Sequence, residues 1–482
     1  MSETITIRKG LDLPISGAAE KCLTDARSIT TYAMKPTDFV GLTPRLLVEE
    51  GDRVAVGDAL FCDKSDERIR FTSPVSGQVK AIVRGEKRKL LEVVVEADFK
   101  SAGSTVADHK SATAALTKAD AIKAAMLQCG LWTQLRQRPF GTVANPDDKP
   151  KAIFVSAFSS APLAPDYDFT MRGREEALKK GLEALAKLTD GKVHVCFRPN
   201  QHLASTIKQL NNQQFNIHFI KGPHPAGNIG TQIAHIDPIN KGEIVWTMNL
   251  QDVAVLGDLV ATGIYKPERV VAVAGPKIKN PHYYRVKCGA CLAEITKAQL
   301  LNNEYPKMDA IEAKKENRVI SGDILSGTQI AADGFLSAYD DLVSILPEGD
   351  YYDFMSWLMP GFRKFSFSRT FLSGFMPKST FKPMGIELSR FENFWKFDTN
   401  THGDLRPLVF TGNFERVFPF DIYPNQLIKA CIIGDIELME NLGIYEVEPE
   451  DFALCEFIDT SKTDIQAIIR EALEKLRKEG LS

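Results

Sequence analysis

Between residues 42 and 96 the apolar positions fall into short alternating runs, each closed by a Gly-Asp or Pro-containing turn. The runs at 48–54, 57–61 and 71–79 have a period of two, which predicts strands with one buried face. Gly51-Asp52 and Gly57-Asp58 supply the turn conformations between them. From about 100 to 118 the pattern dissolves into Ser, Ala, Thr, Asp and Gly, the composition of a linker. Ile122, Ala125, Met126, Cys129 and Trp132 then recur at helical spacing. Pro139 is expected to end that helix, because proline cannot donate to the helical ladder. Farther on, β-branched runs at 152–155, 193–197 and 215–220 alternate with an amphipathic helix at 174–188, where Leu178, Leu182 and Leu185 share a face. A strand at 243–248 and a helix at 252–265 add another pair. Alternation of this kind implies parallel strands joined by crossover helices. Short strands follow from 269 to about 325, then helices at 424–442 and 462–478, the last striped by Ile465, Ile468, Ile469, Leu473 and Leu476.

These elements predict a multidomain α/β and α+β protein. The expected modules are a β-barrel domain at 1–100, a Rossmann-like α/β domain at 119–266 and a small β-grasp (SLBB-like) domain at 267–330. A β-rich aromatic and basic segment at 331–423 and a mainly helical C-terminal domain at 424–482 complete the chain. The order Gly-Asp, strand, Ser-Pro-x-x-Gly, strand in the first module resembles the flattened barrel of lipoyl and biotinyl carrier domains. A carrier needs a modified lysine at a hairpin tip, and Asp63-Lys64 sits near that place. The segment 64–74 is longer than the carrier spacing and strongly charged at Asp66, Glu67 and Arg68, so a surface lysine on a structural barrel is the preferred reading.

At 482 residues the chain exceeds what one core usually supports. Its 59 basic and 62 acidic residues leave a formal net charge of -3, which gives no electrostatic reason to expect nucleic acid. No run of about twenty apolar residues occurs, so a bilayer-spanning helix is not expected. The N-terminus lacks the apolar core of a secretory signal, and eight widely spaced cysteines fit a reducing compartment.

A dinucleotide site needs glycines in the turn after the first strand, so that backbone N–H groups can reach a pyrophosphate. Here that turn reads Ser156-Ala157-Phe158-Ser159-Ser160-Ala161-Pro162. The stretch 222–231 is richer in glycine but lacks the fingerprint spacing, and is read as a shaped structural loop. Cys288-Gly289-Ala290-Cys291 has a metal-binding or dithiol spacing, yet no second pair follows and His282 would not complete a ligand set, so no metal ligands are assigned. Neither H-E-x-x-H, G-x-S-x-G nor a Walker loop occurs, and no catalytic nucleophile is assigned. Ten aromatic residues and five basic ones between 351 and 385, against Asp353 alone, suit either a partner-docking or membrane-facing surface or a strand with one buried face.

The strings Lys9-Gly10-Leu11-Asp12-Leu13-Pro14-Ile15, Phe71-Thr72-Ser73-Pro74-Val75-Ser76-Gly77, Gly130-Leu131-Trp132-Thr133, Arg138-Pro139-Phe140 and Gly412-Asn413-Phe414-Glu415-Arg416-Val417 look like the A subunit of Na+-translocating NADH:quinone reductase (Na+-NQR). That family is similar to the C subunit of the Rnf complex and to the flavin-binding subunit of complex I, which hold FMN beside a glycine-rich loop. Where that loop would fall, this chain has the bulky residues 131–140, and of the relatives' tandem cysteine runs it keeps Cys455. The resemblance therefore implies a subunit with no bound cofactor of its own and no complete active site. It would belong to a sodium-translocating NADH:ubiquinone oxidoreductase on the cytoplasmic side of the bacterial inner membrane. Its partners would be the membrane-embedded and flavin-bearing subunits B to F, which handle NADH, flavins and Na+, with ubiquinone or menaquinone as substrate of the complex. Quinone binding would fall to Trp132 and Phe140 as apolar walls and to Arg136 or Arg138 as donors, unless these residues only plug the vacated flavin pocket. The alternative is a flavin- or iron–sulfur-carrying electron-transfer subunit. Further readings, from other classes, are a lipoyl-type carrier on Lys64 and a zinc enzyme on Cys288 and Cys291.

Overall fold

In the computed structural model of the chain, the described residues are 4–26, 29–98, 109–110, 116–210, 214–301, 317–331, 333–351 and 397–480, with isolated positions between 358 and 395. Two strands of the N-terminal hundred residues pair outside the barrel. Strand β1 (Thr4–Thr6) leaves for the α/β sheet and β2 (Glu20–Asp25) for a third sheet. The barrel is made by the strands that follow: β3 (Thr31–Met34), β4 (Pro44–Leu46), β5 (Arg53–Val54), β6 (Ala59–Asp63), β7 (Arg70–Thr72), β8 (Gly77–Arg84) and β9 (Leu90–Ala97). They form one sheet ordered β3-β9-β8-β5 and another ordered β4-β6-β7, and inward residues such as Leu60, Phe71, Val79 and Val93 are buried between them. Lys64 is exposed in the β6–β7 connection.

Helix α1 (Ala119–Cys129) stops ten residues before the expected Pro139. Gly130 ends it in the left-handed region (φ 83), where a Cβ would lie 2.4 Å from Thr72 Oγ1, so the close barrel contact and the backbone both require glycine. A 3-10 turn, Leu131–Gln134, leads into β10 (Arg136–Arg138) and β11 (Thr142–Val143), two strands that no periodicity announces. The α/β core follows: β12 (Ala152–Ser156), α2 (Tyr167–Thr170), α3 (Glu175–Ala186), β13 (Lys192–Phe197), α4 (His202–Ile207), β14 (Phe215–Lys221), α5 (Ile229–Ile236), β15 (Val245–Thr247) and α6 (Leu250–Thr262). The seven strands lie in the order β1-β14-β13-β12-β15-β10-β11, parallel as far as β15 and antiparallel beyond it. Apolar strand residues point to both faces. Ile153, Val155 and Val193 pack with α3 and α6, while Phe154 and Val245 pack with Ile233 and Ile239. Helices α3 and α6 cross closely because Gly181 and Gly257 leave room; a Cβ on either would meet a backbone oxygen of the other helix within 2 Å.

The third sheet contains β16 (Glu268–Ala274), β17 (His282–Lys287), β18 (Asn317–Ser321), β19 (Thr328–Ile330) and β20 (Leu342–Pro347), in the order β2-β17-β16-β20-β18-β19. It thus draws strands from both sides of the expected 267–330 range. The last module begins before residue 424, with α7 (Phe414–Val417), and continues through α8 (Pro424–Ile433), α9 (Ile436–Asn441), α10 (Ala453–Ile458) and α11 (Ile465–Gly480). Gly434 divides the helix expected at 424–442 by capping α8 in the left-handed region. The aromatic and basic stretch 351–385 lies largely outside the described residues. Within it Phe365 packs near Phe457 (6.2 Å) and the Arg416 guanidinium sits 4.5 Å over Phe367. Among the described residues no helix is long and apolar enough to cross a membrane.

Candidate functional site at residues 130–140

The loop that follows α1 is held at both ends and faces two ways. Its first half is packed into the core shared by the barrel, the α/β module and the third sheet. Leu131, Trp132 and Leu135 are buried there, Trp132 Nε1 donates to the Ala144 carbonyl at 2.8 Å, and its ring meets Trp246 edge-on at 5.5 Å. Beside it is a cavity of about 20 Å³, lined by Thr72, Gly130, Leu131, Thr133, Gln134, Asp252 and Cys288, room for a single water. A flavin phosphate does not fit this loop, because buried side chains occupy the volume that a glycine cradle leaves open.

The crevice where such sheets usually take a nucleotide is also filled. Strand order reverses between β12 and β15, and ligands bind outside the carboxyl ends of strands at such a point. Here the third sheet closes it. The Gln251 side chain donates to the Val270 carbonyl (2.9 Å) and accepts from the Val270 N–H (2.8 Å), and the Tyr167 hydroxyl donates to Asp341 (2.6 Å). Arg269 is buried against Asp252, with guanidinium contacts of 2.7 and 2.8 Å, and donates to the Ala338 and Asp340 carbonyls. The α/β module and the third sheet meet on this polar knot.

The second half of the loop turns to the helical module. Arg138 is 2% exposed and lies 3.3 Å from Glu448, 2.5 Å from Glu450 and 3.3 Å from Asp451. Arg136 pairs with Glu448 at 3.0 Å, and its guanidinium lies 5.2 Å over the Tyr339 ring with 28% of the side chain exposed. Phe140, with φ 83, sets its ring edge-on to Tyr445 (6.1 Å), and its carbonyl accepts from Arg470 (2.7 Å). Burial pushes the Glu448 carboxyl up, but Arg138 and Arg136 together outweigh it and hold the group below its ordinary value. Burial pushes Asp451 up to about 7. Two carboxyls sharing one guanidinium divide in this way, one ionising early and the other late.

The four residues singled out from sequence therefore do not line one pocket. Trp132 belongs to the core, Arg138 and the partly exposed Phe140 to the joint with the helical module, and Arg136, also partly exposed, lies beside Tyr339. Sequence reasoning missed Glu448, Asp451 and Arg470. The first two carry a local signal, since Glu448 and Asp451 form a capping box around the turn that starts at Pro449. Of the thiols, Cys455 is buried in the helical core, Cys291 donates to the Asp333 carbonyl (3.6 Å) and Cys288 borders the small cavity. Among the described residues no three His, Cys, Asp or Glu side chains are grouped to hold a metal ion. The loop 222–231 is strapped by the N-terminal string, with Leu11 N donating to the His224 carbonyl (2.8 Å) and His224 N to Asp12 (2.9 Å).

The chain matches three family descriptions: the NqrA N-terminal barrel-sandwich hybrid domain over residues 5–98, the NqrA second alpha/beta domain over 117–265 and the NQRA C-terminal domain over 270–332. It is 37% identical over 478 residues to the A subunit of the Na(+)-translocating NADH-quinone reductase of Yersinia pseudotuberculosis serotype I, covering 99% of this chain and all of that one. The corresponding protein of Serratia proteamaculans is 38% identical over 480 residues, covering 99% and 100%, and that of Rhodopirellula baltica 36% over 477 residues, covering 98% of each. With the barrel, the filled α/β crevice and the third sheet all in place, these full-length matches establish that the chain belongs to the NqrA family, the A subunits of the Na(+)-translocating NADH-quinone reductase.

Proposed function

We propose that the chain is a cofactor-free peripheral subunit of the reductase, standing on the cytoplasmic face with subunits B to F and contributing to quinone binding and to assembly. The observation that carries this reading is the packing of residues 131–135. They fill the space of a phosphate cradle and leave a cavity for about one water. Cys455, buried in the helical core, offers one thiol where an iron–sulfur cluster asks for four ligands. Electrons then pass through cofactors held by other subunits, and NADH, flavins and Na+ are handled there.

For the quinone, Arg136 and the Tyr339 ring are the exposed part of the site, with Trp132 and Arg138 setting the loop from behind. Tyr339 also borders a groove of about 460 Å³ between the barrel and the third sheet, whose walls include Phe335, Leu91 and Lys35. An apolar wall with a donor at its end is what a quinone carbonyl requires. An absorbance spectrum of the purified chain is expected to contain aromatic bands alone, and stoichiometric flavin or iron would defeat the cofactor-free reading. A photoreactive quinone analogue is expected to label residues near Arg136 and Tyr339 in the assembled complex. Labelling confined to other subunits would remove the quinone role and leave assembly.

A further inference from the structure

Strand β2 is the terminal strand of the third sheet, and all six of its residues are exposed. It is joined to β17 in parallel. Parallel pairs are ordinarily covered on both faces by the helices of their crossovers, so an uncovered one at a sheet edge is unusual. Glu20 N donates to the Pro281 carbonyl (2.9 Å) and Ala26 N to the Arg285 carbonyl (3.1 Å), which turns the even-numbered amides toward β17. Alternation along the strand directs the amide and carbonyl of Leu23 outward. Outward backbone groups on a strand of this length are a template for one more strand.

A cleft of about 550 Å³ opens beside this edge, between β2 and the α/β module. Its walls carry six cations against two acids, Asp258 and Glu268. Two of the cations are committed, Arg269 to buried Asp252 and Arg174 to Asp258. Lys21 and Arg285 make exposed pairs with Asp166 (2.5 Å) and Asp25 (3.1 Å), of the kind that contribute little and exchange readily. Arg172 lies 5.3 Å over the Phe169 ring and has no acidic partner among the described residues. Leu23, 38% exposed, adds an apolar contact at the mouth.

We propose that this edge takes up an extended acidic segment of another subunit of the reductase, bonded to β2 as a further strand and held through its carboxylates by Arg172 and the neighbouring cations. The main chain gives the affinity of such a contact and the charges give its selectivity. Hydrogen exchange of the full chain, free and in the purified complex, tests it. The amides of residues 21–25 are expected to exchange at least about tenfold more slowly in the complex. Leu23→Pro removes the outward amide at a position where an edge strand accepts proline, and is expected to abolish that protection while the melting temperature of the free chain is unchanged. Leu23→Ala keeps the amide and is expected to keep the protection. A benzophenone side chain placed at Cys22 is expected to crosslink to an acidic stretch of a different subunit, with the yield cut roughly fivefold by Arg172→Glu. Equal exchange in the free chain and the complex would overturn the proposal. So would crosslinks confined to this chain, to a second copy of it, to lipid or to a net basic segment.

Discussion

The barrel, the α/β module and the third sheet share one continuous apolar core, whereas the helical module keeps a separate core and meets the others through charge. Trp132 lies on the first kind of joint and Arg138 on the second, six residues apart on one loop. At the helical joint Arg136 and Arg138 face Glu448, Glu450 and Asp451, Arg470 of α11 donates to the Phe140 carbonyl, and Phe140 and Leu11 add apolar contact at the edge of the helical core. The apolar joint is non-directional and owes its strength to area removed from water. The ionic joint must offset the desolvation of every charge it buries, so it tolerates no missing partner and responds to pH. One half of the loop therefore cements three modules, and the other half sets where the fourth sits.

Four changes separate the two joints. Trp132→Ala removes the largest buried side chain of the loop and is expected to cost about 4 kcal/mol, lowering the melting temperature of the three N-terminal modules together. Arg138→Ala leaves Glu448 and Asp451 buried without their common partner, a loss of about 3 kcal/mol. Calorimetry should then show the helical module melting in an earlier, separate transition. A single unchanged transition would mean that the joint is not held by these ions.

The pH dependence is the third and smaller effect. Glu448 is held below its ordinary value, so its contribution is present above that value and fades as pH falls through the lower folded one. Asp451 is raised to about 7, so its contribution is full below the ordinary carboxylate value, is lost progressively as pH rises from there, and is gone above about 7. The helical module is thus expected to melt highest at about pH 4, in the ordinary carboxylate range, and to lose stability from there up to about pH 7, in a titration followed by circular dichroism. Asp451→Asn should remove the decline between about pH 4 and pH 7 and leave the one at lower pH. Least of all, Lys241→Ala breaks the 2.7 Å pair with Glu440 at the exposed rim of the same joint and should change stability by only about 0.5 kcal/mol. A larger loss would mean that the rim, and not the buried cluster, carries the contact.

Much of the architecture was legible because it is periodic. Leu178, Leu182 and Leu185 mark the buried side of α3, and Ile465, Ile469, Leu473 and Leu476 that of α11, as their spacing requires. The end of α1 was not, because Gly130 stops the helix through a barrel contact that lies 58 residues away in sequence, at Thr72. Likewise residues 4–6 and 20–25 fall inside the expected 1–100 module yet join other sheets as β1 and β2, since nothing local to a strand says which sheet it joins.

The sequence alone determined the local elements, the family strings and the replacement of a glycine cradle by Leu131, Trp132 and their neighbours, because these depend on residues close together in the chain. Only the tertiary structure decided what the arginines of that loop face. Arg136 meets Glu448 from 312 positions away, and Arg138 meets Asp451 from 313. Whether a guanidinium stands free for a ligand or is spent on a carboxylate depends on which distant segment folds against it, and that proximity leaves no period along the chain.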